Sequence, residues 1–150
     1  MASTASQHKI TVAQAMHAIM DIDIHTSLNE LVRKINWNEY SCIVVLDDEK
    51  NFFGIITQQD IHFAQKKKLN FNTTRAWEIA SAEIQKVPPD TTLQDAIELM
   101  IDKQVRHLFI EEKKTIKGVI TPLNILSLIN WDEPRDITIP NYKTWQSPAK

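Results

Sequence analysis

The chain has 150 residues, of which 43% are hydrophobic and 24% charged, and its formal net charge is −2. This is one domain's length, with the composition of an ordinary soluble globular protein that can bury a proper core. The charge gives no global attraction for nucleic acid, no apolar run reaches membrane-span length, and the first residues do not resemble a secretory signal. The lone Cys42 lies in an apolar stretch, which predicts a small buried side chain and a cytoplasmic location.

The first half of the chain predicts alternating strands and helices behind a flexible lead at residues 1–8. In chain order we expect a helical turn at 11–16, a strand at 20–24, a helix from Ser27, a strand at 42–46, a hairpin at 47–51, a strand ending at Thr57 and a further helix. The helix start at Ser27 rests on a hydroxyl followed three residues later by an acid, Glu30.

The second half repeats this order after a linker at 70–74. Its predicted elements are a helical turn at 75–80, a strand at 84–87, a helix from Thr92, a strand at 107–110, a hairpin at 112–115, a strand ending at Thr121 and a final helix. From Trp131 onward the periodicity fails, and prolines punctuate a tail that contains Tyr142 and Trp145. This tail is either an extended segment lying over an apolar surface or a disordered one.

The two glycines of the chain are the clearest sign of an internal duplication. Gly54 opens Gly-Ile-Ile-Thr, and Gly118, 64 residues later, opens Gly-Val-Ile-Thr. Glycine is needed where backbone or ligand comes close, or where φ is positive. A sequence that uses glycine only at these two equivalent places is a tandem repeat.

These features resemble the CBS domain, which usually occurs in tandem as a Bateman module. The resemblance rests on the order of elements, the repeat length near 60 residues and the Gly-x-x-Thr-x-x-Asp ending, and it covers roughly residues 9–130. It implies an α+β fold in which two β-α-β-β-α units form one pseudo-twofold, stand-alone module. The expected boundaries are a lead at 1–8, repeat one at 9–69, linker and repeat two at 70–130, and a tail at 131–150.

The residues that end each glycine strand are the candidate binding residues. Where a strand ends and a helix begins at Thr57, unpaired amides and the helix dipole favour a phosphate. Asp60, one turn later, offers acceptor oxygens that suit the hydroxyls of a ribose. The same spacing also fits a capping box, in which Thr57 and Asp60 bond only to each other's backbone. Both interpretations stay open from the spacing alone.

The resemblance implies a nucleotide site and extends it to further residues. In the family, the threonine contacts phosphate and the terminal Asp or Asn holds ribose, which here implies Thr57, Asp60, Thr121 and Asn124 beside Gly54 and Gly118. The purine pocket would lie along Ala18, Ile19 and Met20 and along Ile84, although core packing is the alternative for these side chains. Arg106 and His107 would face the phosphates, the alternatives being a solvated edge and an ordinary strand histidine. Because Asn124 lacks a charge, we expect the second site to hold ribose less firmly.

No catalytic pattern is present in the sequence, and no required cofactor or metal site is predicted: the histidines have no metal-ligand spacing, and no nucleophile motif occurs. We therefore expect a non-enzymatic regulatory module that binds AMP, ADP or ATP rather than S-adenosylmethionine and signals to a partner protein. An architectural or dimerisation module without ligand is the alternative. A homodimer is expected from the apolar excess of Ile61, Phe63, Ile125, Leu126, Leu128 and Ile129.

Overall fold

The computed structural model describes residues 10–128 of the chain. The predicted lead at 1–8 and the predicted tail at 131–150 therefore lie outside the described residues. The helices are α1 (Val12–Ala15), α2 (Leu28–Lys34), α3 (Gln58–Lys66), α4 (Ala76–Ile79), α5 (Leu93–Lys103) and α6 (Pro122–Leu128). The strands are β1 (Ile19–Asp23), β2 (Cys42–Leu46), β3 (Phe52–Ile56), β4 (Lys86–Val87), β5 (Leu108–Glu112) and β6 (Thr115–Ile120).

Each half of the chain builds one three-stranded sheet. The strand orders are β1-β2-β3 and β4-β5-β6, and in both sheets the first pair is parallel and the second antiparallel. A helix crosses between the parallel strands of each sheet, as a parallel connection requires. The predicted α+β fold of two β-α-β-β-α units is confirmed. The strand expected at 84–87 is shorter than predicted, because only Lys86 and Val87 pair with β5.

The crossover helices begin where their capping residues predict. The Ser27 hydroxyl accepts a hydrogen bond from the Glu30 amide at 3.1 Å, and the Thr92 hydroxyl accepts one from the Asp95 amide at 3.1 Å. Behind each cap, the apolar positions three and four residues apart turn toward a core. Their fully buried members are Leu28 and Leu31 in α2, and Leu93, Ala96, Ile97 and Met100 in α5.

The two short helices are exchanged between the repeats. Val12 of α1 is fully buried in the core of the second repeat, and Ala76 of α4 is fully buried in the core of the first. Backbone bonds hold each in place: the Val12 amide donates to the Thr91 carbonyl at 2.8 Å, and the Ala76 amide donates to the Thr26 carbonyl at 2.8 Å. Each core is thus completed by the other half of the chain. The boundaries 9–69 and 70–130 stay predictions.

A third apolar cluster joins the two sheets. It consists of Cys42, Val44, Ile55, Phe109, Ile116 and Val119. Burial raises the pKa of the Cys42 thiol to about 12, so this cysteine is an unreactive apolar side chain. Lys86 adds a polar link at the edge of this interface, since its ammonium lies 3.0 Å from the Glu111 carboxylate and 4.9 Å from the centre of the Phe52 ring. The two repeats therefore share a continuous interface.

Two of the residues predicted to form a second buried surface belong to the cores. Ile61 is 4% exposed and Ile125 is fully buried, each within the core of its own repeat. Phe63 and Leu128 are exposed, Leu126 is half-buried, and Ile129 lies outside the described residues. Of the helices within residues 10–128, none has the length and apolar character needed to cross a membrane.

Candidate functional site

Thr57 and Asp60 form a complete capping box at the start of α3. The Asp60 amide donates to the Thr57 hydroxyl at 3.3 Å. In return, Oδ2 of Asp60 accepts from the Thr57 amide at 2.7 Å and from the Thr57 hydroxyl at 3.0 Å. The capping box uses only this one oxygen of the carboxylate, and Oδ1 takes no part in the box. The structure thus contains the capping arrangement that the spacing allows, with both side chains half-buried.

Thr121 and Asn124 make the same box at the start of α6. Oδ1 of Asn124 accepts from the Thr121 amide at 3.0 Å and from its hydroxyl at 2.9 Å, and the Asn124 amide donates to that hydroxyl at 3.3 Å. The geometry matches that of the first repeat, but the side chain is a neutral amide instead of a carboxylate. The two positions therefore differ in charge and agree in shape.

The two glycines make room for another part of the same chain. A Cβ atom on Gly54 would lie 3.0 Å from the Ala80 Cβ and 3.0 Å from the Ser81 carbonyl oxygen. A Cβ atom on Gly118 would lie 2.6 Å from the Met16 sulfur and 3.0 Å from the His17 carbonyl oxygen. Neither glycine has a positive φ. The structure thus explains both glycines by close packing of the segments that follow α1 and α4.

His107 of the second repeat lies within electrostatic reach of Asp60 of the first. Burial lowers the pKa of His107, the Asp60 carboxylate opposes this shift, and the positive charge of Arg106 adds to it. The imidazole also stacks on the Phe109 ring, with centroids 6.1 Å apart and planes 13° apart. Arg106 is half-buried and therefore not on a fully solvated edge. We call the group of Thr57, Asp60, Arg106 and His107 site A.

Site A also includes a main-chain segment that the sequence did not single out. Ser81 pairs with Ile55, its amide and carbonyl making bonds of 3.0 and 2.9 Å to the backbone of β3. This places the chain after α4 beside the strand that leads into Thr57. Site A is accordingly built from both repeats and from the exchanged segment.

The second repeat presents an equivalent but chemically different group. His17 pairs with Val119, two residues before Thr121, through backbone bonds of 2.7 and 3.1 Å. Its imidazole Nδ1 lies 2.5 Å from the Ser41 hydroxyl, and Ser41 precedes β2 much as Arg106 precedes β5. We call the group of His17, Ser41, Thr121 and Asn124 site B. Within residues 10–128 the Ser41 hydroxyl is a side-chain partner of the His17 ring.

The residues predicted to line a purine pocket lie in different surroundings. Ala18 is exposed next to His17, and its carbonyl accepts from the Ser41 amide at 3.3 Å. Ile19 and Ile84 pack against the cluster between the sheets. Met20 packs against the core of the first repeat. Ala18 is therefore placed at site B, whereas core packing accounts for Met20.

The structure brings together one group of side chains of the types that ligate metals, and this group was not visible from the sequence. Asp23, His25 and Asp48 each offer a ligand atom, and these atoms all lie within 4.8 Å of one another. They are separated by 2 and 23 positions, which fits no metal-binding motif. Only the parallel pairing of β1 and β2 brings them together, so no sequence pattern signals this group.

A family model matches most of the chain. The CBS domain model matches residues 11–67 and 76–130, one match in each repeat. An uncharacterized protein of Methanocaldococcus jannaschii is 25% identical over 105 residues, which is 68% of this chain and 56% of that protein. The chain thus spans little more than half the length of this curated relative.

Solved structures share the fold. An uncharacterized conserved protein from Pyrococcus horikoshii gives a TM-score of 0.68 at 22% identity, covering 79% of this chain and 91% of that one. A CBS domain protein from Pyrobaculum aerophilum, complexed with AMP, gives a TM-score of 0.64 at 18% identity, covering 77% of this chain and 89% of that one. With one family match in each of its two structural repeats, the chain belongs to the CBS domain family.

Proposed function

We propose that this chain is a non-catalytic regulatory module that binds an adenosine nucleotide at site A, binds it more weakly at site B, and signals occupancy to a partner protein. The observation that carries the proposal is that the Thr57–Asp60 capping box lies where the two halves of the chain meet: Ser81 pairs with Ile55 of β3 just before it, and the Asp60 carboxylate is near enough to His107 of the second repeat to influence its charge. A ligand held there contacts both halves of the molecule.

The chemistry of site A suits the two polar parts of a nucleotide. The first-turn amides of α3 and the positive end of its dipole favour a phosphate. The Arg106 guanidinium adds a permanent positive charge near His107. Oδ1 of Asp60 lies outside the capping box and is available in this scheme as an acceptor for a ribose hydroxyl. The capping box and ligand binding are compatible, because they use different oxygens.

The ligand class has support from a relative. The Pyrobaculum aerophilum CBS domain protein is complexed with AMP. We extend this to AMP, ADP or ATP for the present chain, since a helix start near an arginine favours phosphates over the sulfonium of S-adenosylmethionine. The signal would arise from a difference in nucleotide affinity between two arrangements of the repeats.

We also propose that the module forms a homodimer through its exposed helix surfaces. Phe63 on α3 is 57% exposed, and Leu123 and Leu128 on α6 are 74% and 47% exposed. Large exposed apolar side chains on two helices are typical of an association surface. This dimer would then be the form that signals nucleotide occupancy to the regulated partner.

A thermal-shift titration of the full chain tests nucleotide binding. A ligand at about 100 times its Kd adds about 2.7 kcal/mol to the free energy of unfolding, which for this size raises Tm by about 5–11 °C. We expect this rise with AMP, ADP or ATP and a smaller one with S-adenosylmethionine. The Asp60→Ala variant should bind about 10–150-fold more weakly, since a bond to a charged group contributes about 1.5–3 kcal/mol.

The alternative function is an architectural module without ligand. It is favoured by the capping boxes, which bond the Thr57 and Thr121 hydroxyls and one side-chain oxygen each of Asp60 and Asn124 within the protein itself. If no adenosine nucleotide raises Tm at millimolar concentration while the protein remains a folded dimer, the regulatory proposal is wrong and the architectural one replaces it.

A further inference from the structure

The topology of the first sheet brings three metal-ligating side chains to one edge. β1 and β2 are parallel and in register from Ile19 with Cys42 to Asp23 with Leu46, so both strands end at the same edge. Asp23 is the last residue of β1, His25 follows it by two positions, and Asp48 follows the end of β2 by two positions. The group is separate from the residues of sites A and B.

The side chains are already close to a coordinating arrangement. Nε2 of His25 lies 3.0 Å from Oδ1 of Asp48. Oδ1 of Asp23 accepts a hydrogen bond from the His25 amide at 2.7 Å, which fixes this carboxylate beside the histidine. The three ligand atoms lie within 4.8 Å of one another. Ligands at about 2.0–2.2 Å from a tetrahedral zinc ion are about 3.4 Å apart, so small rotations of exposed side chains close the set.

The donor set selects the kind of ion. One imidazole and two carboxylates suit Zn²⁺ and similar transition ions, whereas Ca²⁺ needs six to eight oxygen ligands and Mg²⁺ an octahedron of oxygens. We propose that Asp23, His25 and Asp48 bind one divalent transition ion of the Zn²⁺ type, with water in the remaining position. The two carboxylates balance the charge of the ion.

The charged residues around the group have opposite effects on its affinity for a cation. Asp47 and Glu49 flank Asp48 in the hairpin and add negative charge. Oδ1 of Asp47 accepts from the Glu49 and Asn51 amides at 2.9 and 2.8 Å, so Asp47 shapes the turn that presents Asp48. On the other side, the Arg75 guanidinium donates to the His25 carbonyl at 3.3 Å and places a positive charge near the ion. Arg75 therefore lowers the affinity.

Calorimetric titration of the full-length, untagged and chelator-treated chain with ZnCl₂ tests the site. We expect one ion per chain. His25→Gln and Asp48→Asn should each bind Zn²⁺ at least about tenfold more weakly, since even the loss of a residue that only orients a metal ligand lowers metal affinity by about 10–100-fold. His62→Gln, which changes an exposed histidine on α3, is the matched control and should bind as the wild type does. Arg75→Gln should bind more tightly.

The Tm of each variant is first measured without metal. It should equal that of the wild type, because these exposed side chains contribute little to folding. Absence of one-to-one Zn²⁺ binding at about 0.1 mM or equal losses in His25→Gln and His62→Gln would overturn the site. Calcium binding as tight as zinc binding would contradict the assigned ion type. None of these outcomes depends on nucleotide binding.

Discussion

The side chain of Met16 occupies the space that a side chain at Gly118 would need. A Cβ atom at position 118 would lie 2.6 Å from the Met16 sulfur and 2.8 Å from its Cγ, well inside van der Waals contact. We expect Gly118→Ala to lower the free energy of unfolding by about 1–3 kcal/mol, the usual effect of overpacking. Denaturant unfolding measures it.

A double-mutant cycle separates this contact from a general effect of replacing glycine. Met16→Ala combined with Gly118→Ala should lose less stability than the sum of the single variants, because the smaller side chain relieves the clash. Met16→Ala combined with Gly54→Ala is the matched control and should be additive, since Gly54 contacts Ala80 and Ser81 instead. Additivity in both pairs would contradict the assigned contact.

Exchanging the acid and the amide between the sites tests their asymmetry. Asp60→Asn should weaken nucleotide binding at site A by about tenfold, because a neutral bond contributes about 1.4 kcal/mol less than a charge-assisted one. The reverse change, Asn124→Asp, should strengthen site B. The capping box should survive in both, since Asn124 already makes the same three bonds as Asp60. Isothermal titration at both sites measures the two affinities, and equal affinities in the wild type would refute the asymmetry.

His107 should make the folded state sensitive to acid. Burial lowers its pKa in the folded protein below the ordinary value of 6.5. Below about pH 6.5 the His107 imidazole of the unfolded chain takes up a proton that it does not take up in the folded chain. The free energy of unfolding is therefore highest above this pH and falls as the pH decreases toward the folded pKa. We expect His107→Gln to reduce this decline between about pH 7.5 and 5.5 in denaturant unfolding. An unaltered profile in His107→Gln would disprove the assignment.

The exposed helix surface should control self-association. Sedimentation of the wild type should give twice the monomer mass of 17.3 kDa. Leu123→Glu places a charge on the most exposed large apolar side chain within residues 10–128 and should weaken the dimer by at least about tenfold, with little change in monomer stability. Ile101→Glu is the control and should leave the dimer unchanged, since Ile101 is exposed on α5, outside the proposed surface on α3 and α6. A wild-type monomer at high micromolar concentration would contradict the proposal.

The sequence alone determined the features that are set by residues close together in the chain. The caps at Ser27 and Thr92 join residues three positions apart, and the apolar periods of α2 and α5 repeat every three or four positions. The duplication is visible in the two equivalent glycine strands, each of which is a short run of adjacent residues. Such short-range patterns predicted both repeats and the α+β fold, because a helix or a strand is recognisable from the spacing of the apolar residues within its own segment.

Only the tertiary structure decided which segments meet. Nothing near Val12 shows that it completes the core of the second repeat, and nothing near Gly118 shows that it faces Met16. The backbone pairing of His17 with Val119 likewise joins residues 102 positions apart. These contacts are set by the path of the chain around the two sheets, and a path between distant segments leaves no local period or spacing in the sequence.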